Sequence, residues 1–170
     1  MSDPTPPYRG PHPALVLALI GAVTGAIQSA LGDNDALLLF GLVFGGPVAL
    51  YLFWAFRVRW WRAVLVLALF GASWQAALRT GVALAGEYDT NPFVIGAISG
   101  LIGAALVLAG FAIALPAFRR PGSWALPLAT GTAFGAALLF PSLEKDVIAL
   151  LLVGWQTGLG AVLGWGVRRG

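Results

Sequence analysis

The sequence predicts an all-α, polytopic membrane protein: a compact bundle of six transmembrane helices. Six apolar runs of about 17 to 23 residues follow one another with short polar connections. Hydrophobic residues make up 59% of the 170 residues and charged residues only 10%, too little polar surface for a soluble domain. Arginines and acids alternate between successive connections, the pattern that sets membrane topology.

The chain opens on a leader, residues 1–12, with prolines at 4, 6, 7 and 11 and another at 13. Such spacing suits an extended, disordered cytoplasmic tail. The first apolar run lacks the basic flank and short core of a cleaved signal, so it reads as a retained span. The runs are Pro13 to Leu31, Ala36 to Phe56, Ala63 to Leu84, Phe93 to Leu115, Trp124 to Phe140 and Val147 to Val167, which together make one transmembrane domain over 13–167. About 20 residues at 1.5 Å per residue cover a hydrocarbon core of about 30 Å, and the fifth run is the shortest. Residues 168–170 form a short tail.

Charge gives the orientation. Arg9, then Arg57, Arg59 and Arg62, then Arg119 and Arg120, then Arg168 and Arg169 fall on one side, where Trp54, Trp60, Trp61, Trp124 and Trp165 form an interfacial belt. Asp33, Asp35, Glu87, Asp89, Glu144 and Asp146 fall on the other, joined there by Lys145 and by Arg79 inside the third run. Both termini are therefore expected in the cytoplasm, with the protein in a plasma membrane, the inner membrane if the source is bacterial. The net charge of +3 reflects this orientation, and no nucleic-acid partner is expected. Each outer connection carries two acids one residue apart. These could attract cations. They are more simply helix caps, with Asp35, Asn91 before Pro92, and Asp146 each placed ahead of an apolar run.

The 23 glycines include six pairs spaced four apart: Gly21 and Gly25, Gly41 and Gly45, Gly96 and Gly100, Gly131 and Gly135, Gly154 and Gly158, Gly160 and Gly164. GxxxG spacing leaves a groove that lets two membrane helices approach closely. The halves also echo each other. Ile20 to Gly25 resembles Ile95 to Gly100, Gly41 to Gly45 resembles Gly131 to Gly135, and Trp74-Gln75 resembles Trp155-Gln156. Three helices per half would make a 3+3 inverted repeat, although the first pair sits late in one helix and early in the other.

No constellation for catalysis or metal binding emerges. Cysteine is absent, and the only histidine, His12, lies in the leader, so haem, zinc and histidine-based chemistry lack ligands or a base within the spans. The segment from Ala97 to Ala104, with Ser99 at its centre, resembles the serine motif of rhomboid intramembrane proteases over this one helix. Ala97 replaces the glycine two residues before the serine, and Gln156 on the last helix cannot serve as a base. The chain is expected not to be an enzyme and to need no cofactor. In size and topology it is similar to the substrate-binding subunits of energy-coupling-factor vitamin importers, which implies solute binding without membership.

Polar residues inside the runs remain. Gly71, Gln75 and Arg79 share a face of the third run at i, i+4 spacing, and Thr24 and Gln28 share one on the first. Gln75 and Gln156 lie about 18 Å and about 16 Å from the cytoplasmic ends of their runs at 1.5 Å per residue. An intramembrane arginine that reverses the charge pattern invites an anion or a carboxylate. Arg79, Gln75, Gln156, Thr24 and Gln28 are therefore expected to line one cavity in the outer half that binds or transports a small solute. The competing expectation is an accessory or scaffold subunit that packs its glycine grooves against partner subunits or copies of itself, its polar groups serving only to join helices.

Overall fold

A computed structural model describes residues 11–31, 39–87, 91–138 and 145–169. Among these, every regular element is helical: α1 (Pro13–Leu31), α2 (Phe40–Ala55), α3 (Trp60–Glu87), α4 (Pro92–Ala114), α5 (Ala125–Leu138) and α6 (Lys145–Arg169), with 3-10 turns at Pro116–Arg119 and Pro121–Ser123. Four helices, α1, α3, α4 and α6, are long and apolar enough to cross a membrane. At 16 and 14 residues, α2 and α5 are shorter. Most of the leader (1–10) and the acid pairs at Asp33/Asp35 and Glu144/Asp146 fall at least in part outside the described residues, as does Asp89.

The helix ends follow local chemistry. Asn91 accepts a hydrogen bond from the Phe93 amide at 2.9 Å, and Pro92 occupies the first turn, where its missing N–H is no loss. At the other end of α4, Leu115 is extended (φ −126°, ψ 126°) because Pro116 follows it, and the helix stops. His12 starts α1, its carbonyl accepting from Leu15 and Val16 at 2.9 and 3.2 Å. The expectation that Asp146 precedes the last helix is corrected, because α6 already includes Lys145.

Contacts between helices run in a closed cycle, α1 to α2 and onward to α6, which packs back along α1. The α1–α6 seam is a backbone-on-backbone contact. A methyl carbon placed on Gly21 would lie 2.2 Å from the Gln156 carbonyl oxygen, and one on Gly160 would lie 2.2 Å from that of Leu17. At such separations the two backbones gain close dispersion contact that larger residues at these positions would forbid. The α4–α5 seam is as tight: a carbon added to Gly100 would lie 2.1 Å from the Gly131 oxygen. The partners differ, however. Gly21 meets α6, whereas Gly96 and Gly100 meet α5. Exchange of two inverted halves would instead send Gly96 to α3, so the echoed glycines do not occupy equivalent seams.

The densest packing lies toward the end that carries Arg59, Arg119 and Arg168, here called the basic end. Phe44 stacks edge-on with Phe70 (5.3 Å), Phe70 tilts against Phe111 (6.3 Å), and Phe111 meets Phe118 edge-on (5.1 Å). Leu17, Leu52, Leu108, Leu159 and Leu163 are fully buried around them. Toward the acidic end the centre is not filled.

Candidate polar chain and apolar cavity

Thr24, Gln28 and Gln156 are brought together. The Thr24 hydroxyl is 2.7 Å from Gln156 Oε1, the Gln156 amide donates to Gln28 Oε1, and Gln28 Nε2 donates to the Phe40 carbonyl at 2.7 Å. The last bond fixes the direction of the rest. A backbone carbonyl only accepts, so Gln28 must present its NH₂ there and its oxygen to Gln156. Thr24 Oγ1 also lies 2.7 Å from the Ile20 carbonyl, an alternative acceptor for its single proton. All three side chains are at most 4% exposed, and each has a protein partner. The chain joins α1, α6 and the start of α2.

Gln75 and Arg79 stand apart from this chain. On α3, Gly71 faces Leu42 of α2, and helical spacing carries that face through Gln75 to Arg79. Gln75 is half-buried, with Nε2 enclosed and without a hydrogen-bond partner, and Arg79 is exposed. The expectation of one cavity lined by all five residues is corrected. Three of them satisfy one another between α1 and α6, and the other two follow a different face of α3.

A cavity does exist, of about 450 Å³, between α3, α4, α5 and α6. None of the five residues lines it. Its walls are small: Ala77, Gly81 and Ala85 on α3, and Gly96, Ser99, Gly100 and Gly103 on α4. Trp74 and Trp155 add indole rings, tilted 38° with centroids 6.2 Å apart, and Phe40 packs edge-on against Trp74 at 5.3 Å. The lining is almost wholly apolar. Three of the lining residues carry a polar atom buried beneath the cavity surface, Trp74 Nε1, Trp155 Nε1 and Ser99 Oγ, and none of these finds a partner in the protein. Exposed Val82, Ala85 and Pro92 place the mouth near the α3–α4 connection, at the acidic end.

The void has a simple origin. Helices that bring a face of glycine, alanine and serine toward the bundle centre leave space where large side chains would meet. At the basic end phenylalanine and leucine occupy the same axis. In the sequence, Trp74 and Trp155 stand out only as neighbours of Gln75 and Gln156, and Ser99 only within the protease-like motif. The usable signal was small residues at 77, 81 and 85 on one helix and at 96, 99, 100 and 103 on the next. Among the described residues no group of three or more histidine or acidic side chains could hold a metal. The chain matches no protein-family profile, no curated protein and no solved structure.

Proposed function

We propose that this is a multi-pass membrane protein that binds a small, largely apolar solute in the cavity between α3 and α6. It would cross a plasma membrane six times, with both termini and the arginine-rich loops in the cytoplasm, so that the cavity opens in the outer half. The observation that carries the reading is the cavity itself. About 450 Å³ lies within the range of about 300–1,000 Å³ typical of small-molecule sites, which are mostly apolar with a few placed polar groups. The two indole N–H groups and the serine hydroxyl lie beneath that lining, and a movement of these side chains would turn them to a bound acceptor and satisfy atoms that the protein leaves unpaired. Binding is favoured over open conduction because the phenylalanine and leucine core closes the basic half.

Quenching of tryptophan fluorescence by 1-bromooctane tests this in reconstituted protein. Wild type is expected to show saturable quenching from Trp74 and Trp155. Ala85→Phe, which fills the mouth from an exposed position, should reduce it to the level given by Trp74→Phe/Trp155→Phe. Unchanged, non-saturable quenching in Ala85→Phe means that the probe reaches the rings from bulk lipid, and the reading fails.

A scaffold subunit remains the second reading, favoured by one face of α2. Leu42, Leu50 and Phe53 are exposed, and a methyl added to Gly46 would touch nothing within 4 Å. Cross-linking at Gly46 to a partner helix, with no solute binding, would select it.

A further inference from the structure

We infer that the corner between α2 and α3 is a binding site for the phosphate-bearing headgroup of an anionic lipid. It is separate from the solute cavity and requires only that the helices lie in a membrane. Three guanidiniums and three indoles fall within nine residues, from Trp54 to Arg62. Trp54 and Trp60 are 75% and 70% exposed, Trp61 is 40% exposed, and Arg57 and Arg59 are exposed on either side of Val58. Indoles at that level prefer the lipid interface, and a guanidinium fork matches phosphate oxygens.

What distinguishes this corner from an ordinary basic loop is that its backbone is fixed. Arg57 adopts φ 51°, the left-handed region that L side chains rarely enter and that the surrounding structure must hold in place. Val58 holds the turn: its side chain is 6% exposed, inserted into the core cluster that includes Phe118. Arg57 and Arg59 flank this anchor, so both extend outward from a rigid base. Arg62 adds a third guanidinium, its carbon 5.1 Å from the centre of the Trp61 ring and its Nε enclosed without a hydrogen-bond partner. By contrast, Arg119 in the neighbouring loop donates to the Ala112 carbonyl at 3.2 Å, closing the end of α4. The acidic residues of the described helices, Glu87 and Asp146, lie at the far ends of α3 and α6. No described carboxylate competes for the site.

Native mass spectrometry of the full-length protein, titrated with phosphatidylglycerol or with phosphatidylcholine of the same chains, tests the proposal. Each juxtamembrane arginine contributes about 1 kcal/mol to anionic-lipid binding, roughly five-fold in affinity. Arg59→Gln is expected to weaken phosphatidylglycerol binding roughly five-fold, and Arg57→Gln/Arg59→Gln roughly 25-fold. Arg59→Lys should fall between Arg59→Gln and wild type. Arg120→Gln, which removes an exposed charge at the same end, should change binding by less than about two-fold. Should the double variant fail to fold, Arg59→Gln alone carries the comparison, since residue 59 lies outside the strained position. Equal losses in Arg120→Gln and Arg59→Gln would mean diffuse attraction rather than a site. Equal retention of phosphatidylcholine, or displacement of the lipid by millimolar inorganic phosphate, would overturn the lipid assignment.

Discussion

The two sides of the bundle treat buried polar atoms in opposite ways. Along the α1–α6 seam, Thr24, Gln156 and Gln28 hand one another hydrogen bonds until the Phe40 carbonyl ends the chain. Around the cavity and on α3, Trp74 Nε1, Trp155 Nε1, Ser99 Oγ and Gln75 Nε2 are just as enclosed and have no partner. Where no water competes, a polar atom without a partner is costly, so satisfied groups point to structure and unsatisfied ones to something that binds. By this criterion the glutamine chain joins helices. The tryptophan-lined space is the place to look for a ligand.

The largest expected effect sharpens the contrast in packing. Gly21→Leu drives a side chain into the Gln156 backbone, where even a methyl carbon would sit 2.2 Å from the carbonyl oxygen. Destabilisation at or above the upper end of about 1–3 kcal/mol is expected in reconstituted protein. Ala85→Leu, at the exposed mouth of the cavity, should stay within about 0.5 kcal/mol of wild type. Comparable denaturation midpoints for the two variants would mean that the seam is no tighter than the cavity.

A smaller effect separates the two kinds of glutamine. Gln156→Leu orphans Gln28 Oε1 and is expected to destabilise by about 1–3 kcal/mol. Gln28→Leu on that background should cost less than it does alone, because the two amides act as one chain. Gln75→Leu removes an amide whose Nε2 has no partner, so stability should be unchanged or slightly raised. A double-mutant cycle showing no coupling between 28 and 156, or a large loss at 75, would erase the distinction.

Much of the fold was legible in the sequence because hydropathy runs and helix punctuation are local. α1 spans the residues expected, Pro13–Leu31, and α4 lies within one residue of its expected ends because Asn91-Pro92 and Leu115-Pro116 mark both. α3 begins three residues earlier than its apolar run, at Trp60, because tryptophan and arginine are compatible with a first helical turn without being apolar enough to count in a run. The site was less legible. Depth and face along one helix are readable, but which neighbour a face meets is not. Gln75 and Gln156 lie at similar depth, yet Gln156 turns to α1 while Gln75 follows the α2 side of α3. A cavity is made by what side chains do not fill, and no single residue announces it.

The smallest expected effect concerns Arg79, the residue whose charge reversal drew attention first. It is exposed, lines no part of the cavity and makes no ion pair or hydrogen bond among the described residues. About two and a half helical turns of α3 separate it from Phe70 in the packed core, and its face continues from Gly71 and Gln75 rather than from Trp74 and Ala77. In the membrane proposed above, a long arginine side chain extends along its apolar stem to the interface, where the charge is hydrated. Arg79→Ala is therefore expected to change stability by no more than about 0.5 kcal/mol and to leave bromooctane quenching of Trp74 and Trp155 unaltered. Loss of quenching in Arg79→Ala, with partial recovery in Arg79→Lys, would place the guanidinium at the solute after all. The comparison between satisfied and unsatisfied polar groups would then have located the ligand on the wrong face of α3.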